Sequence, residues 1–397
     1  MSRQPVTYCT NIHRGESWAE TLASLQTHTL AVKARVCPDR PFPVGLRISG
    51  LASAQVDQEE AARFGGWLED HGLYVATLNG FPYGTFHGRP VKSGVYQPDW
   101  RSPERLAYTL RLAGLLARWL PEGVDGSIST VPVGFRADFD PAQEEPALSN
   151  LRAAARALED IAQRTGKFIR LSLEPEPGCL VETTPELVAL FERLDLPGGP
   201  RAHMAACYDC CHQALQFEDP AWSLGLLRKN AIEIGHVQVS SALHLPCPDL
   251  GCLSRFDEPV YLHQCVARLA DGSLLRFDDL GQALAHAGQE AARAGSANTP
   301  DRACPGGGLG ASGDGVDCWR VHFHLPVFLE TLPECLSTQL FLREFLPLVP
   351  ERVPLEVETY TFDVLPEELR ADGVVESIVR EIRWVERFRD GEGERET

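Results

Sequence analysis

The chain has 397 residues, with 37 Lys and Arg against 55 Asp and Glu, a net charge of −18. That charge opposes binding to a phosphate backbone, and no run approaches the roughly 20 apolar residues of a membrane-spanning helix. Hydrophobic and charged contents of 44% and 23% are those of a globular protein large enough for one α/β domain with insertions or two average domains. The amino-terminal segment has no apolar core of signal-peptide type. The expectation is a cytoplasmic protein with reduced cysteines, no nucleic-acid partner and no membrane insertion.

Strands are predicted over residues 6–12, 44–49, 74–78, 126–131, 168–173, 203–208, 236–240 and 355–361, with helices between them. His13 and Glu16 follow the first strand. Asp57-Gln-Glu-Glu60 fits a capping box, and Gly72 is a natural helix stop. After the third strand comes an aromatic, glycine-punctuated loop with Asn79, Phe81, Tyr83, His87, Lys92 and Tyr96. Ser102, Thr184 and Asp219 each precede a proline and read as helix caps. Leu151, Ala155, Leu158 and Ile161 form a helical apolar stripe. The fifth strand runs into Glu174 and Glu176, and the sixth into Asp209 and His212. Cys207 and Cys210 have C-x-x-C spacing, but no second such pair accompanies them, so buried thiols are expected. The seventh strand offers His236, Gln238 and Ser240 on one face, and the eighth offers Glu356 and Glu358. Between these two lies a long excursion over residues 241–320, with a helix over 279–294 and a Gly-, Ala- and Ser-rich tract over 295–315 that reads as a flexible loop. The polar tail 391–397 is expected to be disordered.

Strand–helix alternation argues for a parallel sheet with helices outside. Eight strands favour a (β/α)8 barrel, residues 1–390 as one domain with the excursion inserted after strand seven, over an open doubly wound sheet. No G-x-G-x-x-G or P-loop follows a strand. In such a barrel the active site lies at the carboxyl ends of the strands. Glu174, Asp209 and Glu358 stand at matching strand ends, and a carboxylate in an apolar strand is costly unless paired or metal-bound. Three together read better as a divalent-metal site than as three separate salt bridges. Spacing bears on a further ligand, since a barrel unit takes roughly 30 residues. Glu174 to Asp209 is 35 residues and Asp209 to Gln238 is 29, but Gln238 to Glu358 is 120, whereas His324 to Glu358 is 34. Two segments therefore compete for the seventh position, "HVQVSS" and "WRVHFHLP", and in the second His322 and His324 share a face.

The pattern of Glu174 in "LSLEPEPG", Asp209 and His212 in "YDCCH" and Glu358 in "LEVETYT" resembles the metal site of the xylose isomerase-like barrels. Longer stretches, "YCTNIHRGESW", "NGFPYGTFHG", "VKSGVYQPDW", "HVQVSSAL", "WRVHFHLP" and "LEVETYTFDVLP", resemble the EboE family, barrel proteins of the ebo metabolite-traffic gene clusters. The resemblance spans residues 7–366. It implies a barrel related to sugar isomerases and epimerases, acting on a small polyhydroxylated or carbonyl metabolite in the making or traffic of a metabolite precursor. It also implies one divalent metal (manganese, magnesium or zinc), with Glu174 and Glu358 exchanging a proton next to a carbonyl. Where related epimerases carry a ligand histidine, this chain has Gln238, which leaves His324 to join Glu174, Asp209 and Glu358 as metal ligands. His13, Asn79, Phe81, Tyr83, His87, Lys92, His212, His236, Gln238 and His322 are the expected substrate-binding residues. The partners so implied are a small metabolite and other proteins of the same pathway. The alternative is a barrel that binds a metabolite for export without catalysis.

Overall fold

The structure, a computed structural model, describes residues 5–88, 90–293 and 315–389. The tail 391–397 and residues 295–314 of the Gly-, Ala- and Ser-rich tract lie outside these. In chain order the strands are β1 (Thr7–Tyr8), β2 (Phe42–Arg47), β3 (Leu73–Asn79), β4 (Gly126–Thr130), β5 (Ile169–Leu173), β6 (Met204–Asp209), β7 (Ile234–Val239), β8 (Ser241–Leu245), β9 (Cys265–Leu269), β10 (Leu274–Phe277), β11 (Val316–Leu325), β12 (Leu336–Ser337) and β13 (Leu355–Val357). Eight of them pair in parallel in the order β1-β13-β7-β6-β5-β4-β3-β2. A parallel bridge between Cys9 and Gly45 brings the two ends of that order together. The fold is a (β/α)8 barrel.

The intervening helices start where the sequence supplies side-chain caps. Ser102, Asp57 and Asp219 each accept a backbone N–H from the first turn of their helix, which satisfies an otherwise orphaned donor. At the helix Thr184–Leu194 the cap is Thr183, paired with Glu186 in a full capping box, rather than Thr184. Leu151, Ala155, Leu158 and Ile161 are all buried on one side of the helix Glu144–Thr165. The barrel interior carries a polar layer: the Ser127 hydroxyl bonds both the Ser172 hydroxyl and Nδ1 of His236 at 2.7 Å. Glycine is required beside it, because a Cβ on Gly235 would fall 2.1 Å from the Ser172 oxygen. Gly45 likewise leaves room for the Glu356 carboxylate, 2.4 Å from where its Cβ would stand.

Among the described residues ten cysteines are free thiols and nine of these are buried, Cys207, Cys210 and Cys211 among them. Cys247 is disulfide-bonded and departs from the expectation of thiols throughout.

The competition for the seventh position is resolved. "HVQVSS" supplies β7, between β6 and β13. "WRVHFHLP" belongs to β11, in a second, five-stranded sheet of order β10-β9-β11-β8-β12, antiparallel throughout. The 34-residue spacing from His324 to Glu358 thus does not measure a barrel unit. Pairing of β11 with β8 slips after Val321↔Leu243 and resumes at Leu325↔Ser241. Four residues of β11 therefore advance against two of β8, a bulge that lets His322 and His324 be aimed away from the regular ladder.

Glu381, on the helix Val374–Arg389, ties this sheet to the barrel. Its Oε2 accepts the Val327 backbone N–H at 3.1 Å and the Thr359 hydroxyl at 2.7 Å. Burial pushes its carboxyl up to about 7, despite those two donors. A carboxyl raised in the native state adds stability below its unfolded value, and that stability is lost as pH rises through the native value. Glu381→Gln keeps an acceptor and removes the charge. Relative to the parent it is expected to gain on the order of 1–3 kcal/mol at pH 8 and to show no gain at pH 4. Urea unfolding of both proteins at the two pH values checks this; equal differences at both would contradict it.

Candidate metal centre

Glu174 follows β5, Asp209 ends β6 and Glu358 follows β13, so all three stand at the carboxyl mouth of the barrel. One carboxylate oxygen from each lies within 4.8 Å of the others, and all three residues are buried. Asp209 Oδ1 accepts the Ser240 hydroxyl at 2.7 Å and the His212 backbone N–H at 3.0 Å, which starts the helix Cys210–Leu215. Glu358 Oε1 accepts side-chain amide N–H groups from Asn11 at 2.8 Å and Asn79 at 3.3 Å. The outward oxygens, Oε2 of Glu174 and Oδ2 of Asp209, have no hydrogen-bond partner. Where Asp209 and Glu358 approach a basic side chain, it is an imidazole and not Lys or Arg.

Burial, then the Asp209 carboxylate, pushes the Glu174 carboxyl well up. Burial, then Glu174 and Asp209, does the same to Glu358. Asp209 is held below the ordinary range: burial alone would raise it, but the His212 and His324 imidazoles and the two donors on Oδ1 outweigh that. Buried oxygens without donors are expensive, and three converging carboxylates, two of them with an unpartnered oxygen, fit a divalent cation.

His324 donates from Nδ1 to the Glu358 carbonyl oxygen at 2.8 Å, which leaves Nε2 as the free lone pair, 3.9 Å from Asp209 Oδ2. Burial pushes it down to about 4, so the imidazole is neutral at neutral pH, the form that binds metals. Gln238 sits on β7 in register with Asp209 and Glu356. It is fully buried, and neither its amide oxygen nor its nitrogen has a partner.

A cleft of about 60 Å³ opens above the carboxylates, lined by Glu174, Glu358, Asn79, Phe81, Lys92, His212, His322 and His324 among others. Five of the expected substrate-binding residues do not line it. His13 lies in a separate surface depression with its ring stacked on His28. Tyr83 turns outward to Glu104 at 2.6 Å. His87 has both nitrogens engaged, by the Asn11 carbonyl and the Tyr261 hydroxyl. His236 is sealed below the mouth, between Ser127 and Cys207. Gln238 is buried level with Asp209 but does not line the cleft. Spacing along a strand identified the inward face for these last two but not their depth. Conversely, Asn11, Tyr261 and Tyr360 line the cleft and were not singled out. Asn11 had a signal, an amide three residues beyond a barrel strand. Tyr261 lies in the inserted segment, whose docking no local pattern reveals.

The family model described as xylose isomerase-like TIM barrel matches residues 43–290. The chain belongs to that family. Among solved structures it is similar to the 3-keto-D-glucoside 4-epimerase YcjR from E. coli, at 18% identity over 60% of this chain and 79% of that one, with a TM-score of 0.37. It is also similar to an L-ribulose 3-epimerase, at 17% identity over 60% and 69%, TM-score 0.38. A D-allulose 3-epimerase from Methylomonas sp. gives 16% identity over 60% and 72%, TM-score 0.40. No curated protein matches the chain in sequence. The match to the xylose isomerase-like family takes in Glu174 and Asp209 but stops before Glu358, His322 and His324. None of the described helices is long and apolar enough to cross a membrane.

Asp209→Asn retains an oxygen for the cap and removes the charge at the centre of the cluster. It is expected to weaken manganese or zinc binding by at least the roughly 10–100-fold that loss of an outer partner already costs. Equilibrium dialysis with metal analysis of the folded variant measures this, and unchanged occupancy would exclude a metal on Asp209.

Proposed function

We propose that the protein is a divalent-metal-dependent isomerase or epimerase of a small polyhydroxylated or carbonyl-bearing metabolite. The observation that carries this reading is the convergence of Glu174, Asp209 and Glu358 within 4.8 Å, with unpartnered oxygens on Glu174 and Asp209. These three residues, with Nε2 of His324 as the imidazole donor near Asp209, would hold one ion. Bound there, manganese, magnesium or zinc supplies polarisation of a carbonyl and its neighbouring hydroxyl.

The chain's own residues supply the proton transfer. Glu174 and Glu358 come from β5 and β13, with β6 and β7 between them, so they would approach a ligand from different sides. Both carboxyls are raised by burial and by their neighbours, the direction that lets a carboxyl hold a proton as well as take one. Asn11 and Asn79 fix one Glu358 oxygen and so orient the other. Phe81, Tyr96, Tyr261 and Tyr360 wall the cleft and restrict water around a bound ligand. The resemblance to EboE supports a place in the traffic of a metabolite precursor, with other proteins of that pathway as partners.

Gln238 favours a second reading, a binding barrel without turnover, because an amide stands where related epimerases carry a ligand histidine. Solvent exchange separates the two. Incubation of a ketose panel with the manganese-loaded protein in D2O is expected to place deuterium on the carbon next to the carbonyl. Glu174→Gln and Glu358→Gln are each expected to slow this by roughly 10²–10⁴-fold. A ligand that binds in calorimetry but never exchanges its proton would select the binding barrel.

A further inference from the structure

Beneath the mouth, polar side chains from four neighbouring strands form a line that ends at Glu174. Ser127 of β4 and Ser172 of β5 share a hydrogen bond at 2.7 Å, and the Ser127 hydroxyl is also 2.7 Å from Nδ1 of His236 on β7. On the far side of that ring, Nε2 lies 3.3 Å from the Cys207 sulfur on β6. Pairing of β5 with β6 runs through Leu173↔Ala206, so the next rung sets Glu174 level with Cys207. The thiol stands there within hydrogen-bonding reach of the Glu174 carboxyl and draws it down against its burial. All five side chains are buried, so each proton needs its acceptor within the line.

That need fixes the direction of donation. Burial pushes His236 down to about 3, so the ring carries a single proton. Burial, then the nearby carboxylates, pushes Cys207 well up, so it carries its S–H. A proton on Nδ1 of His236 would go to Ser127, and the thiol would then donate to Nε2. One of the two serine hydroxyls would be left without an acceptor among the described residues. With the ring proton on Nε2, Ser172 donates to Ser127, Ser127 to Nδ1, and Nε2 to the sulfur. The S–H is then free for Glu174, and all four protons have an acceptor.

We infer that Cys207, aimed by His236, is a positioning residue for Glu174. Its thiol holds one side of the carboxyl and leaves the other side for a cation or a ligand. Buried donors of this kind orient the groups that do the chemistry. The contact stands on the barrel interior alone; its effect on turnover rests on the reading of Glu174 as a proton carrier.

The S–H stretch of Cys207 reads the contact directly. Subtracting the infrared spectrum of full-length Cys207→Ala from that of wild type isolates it from the other cysteines. The band is expected at the low frequency of a hydrogen-bonded thiol, and to move to higher frequency when the same subtraction is made in a Glu174→Ala background. A band that Glu174→Ala leaves unmoved would show the thiol serving His236 and overturn the inference. In the D2O assay, Cys207→Ala is expected to slow exchange at saturating ketose by roughly 10–100-fold with KM unchanged. Cys207→Ser, which keeps a hydroxyl donor, should recover most of that loss. Exchange at the wild-type rate in Cys207→Ala would also overturn the positioning role. Circular dichroism confirms that each variant is folded, and if Cys207→Ala fails this check Cys207→Ser becomes the thiol-free reference. A band that moves, in a protein whose wild type exchanges no proton, would support the hold on Glu174 and count against the isomerase reading alone.

Discussion

Negative charge held inside the barrel mouth shapes most of what surrounds it. Glu174, Glu176, Asp209, Glu356 and Glu358 are all buried, and the basic partners that approach them are imidazoles. An isolated buried carboxylate is expensive, and several together are more so. The surrounding sequence reads as a set of answers to that cost. Asn11 and Asn79 donate to Glu358, Tyr96 donates to Glu176 at 2.9 Å, and Ser240 donates to Asp209. These donors leave Glu356 Oε1, Glu174 Oε2 and Asp209 Oδ2 unsatisfied, and oxygens of the last two residues lie close enough that a cation would satisfy both at once.

The inserted sheet turns an open barrel mouth into an enclosed one. It leaves the barrel directly after β7 and returns before β13, so it is anchored at two neighbouring strands. The anchoring is chemical as well as topological. His324 bonds the backbone of Glu358, the Thr361 hydroxyl bonds the His324 carbonyl, and Glu381 holds Val327 and Thr359 together. Displacement of β11 would therefore move Glu358 and His324 as a pair.

The eight barrel strands were legible because each is a short apolar run bounded by a cap or glycine signal, and such patterns are local. The three carboxylates were legible because strand ends are where such a barrel does chemistry, so position along a strand sufficed. Depth was not legible. His236 and Gln238 share the inward face of β7 with the site, but one lies beneath it against Ser127 and Cys207 and the other, level with Asp209, does not line the cleft. Loop residues were the other gap. Tyr83, His87 and Lys92 belong to one connection, yet only Lys92 lines the cleft, where it also reaches Asp279 of the insertion at 2.7 Å. That choice is made by tertiary docking, for which a single sequence carries no pattern. Spacing left two segments competing for the seventh position, and His324 reached the site from the one that lies outside the barrel sheet. Its alternation with Phe323 was sound, since Phe323 turns to the opposite side and packs on Phe256 and His263, whereas the count of residues to Glu358 was coincidental.

One turn of chain links the carboxylates to the imidazoles. Asp209 ends β6 and caps the helix Cys210–Leu215 through the backbone N–H of His212. The capping bond uses Oδ1 and orients Oδ2 toward the imidazoles and the other carboxylates, while the first helical turn carries the His212 ring toward β11. The side chain that fixes the backbone thus also fixes the separation between the carboxylates and the imidazoles. Such a coupling makes Asp209 the least replaceable residue of the mouth. Asparagine preserves the cap but not the charge, glutamate the charge but not the reach, and alanine neither, so each substitution removes a different part of what the aspartate does.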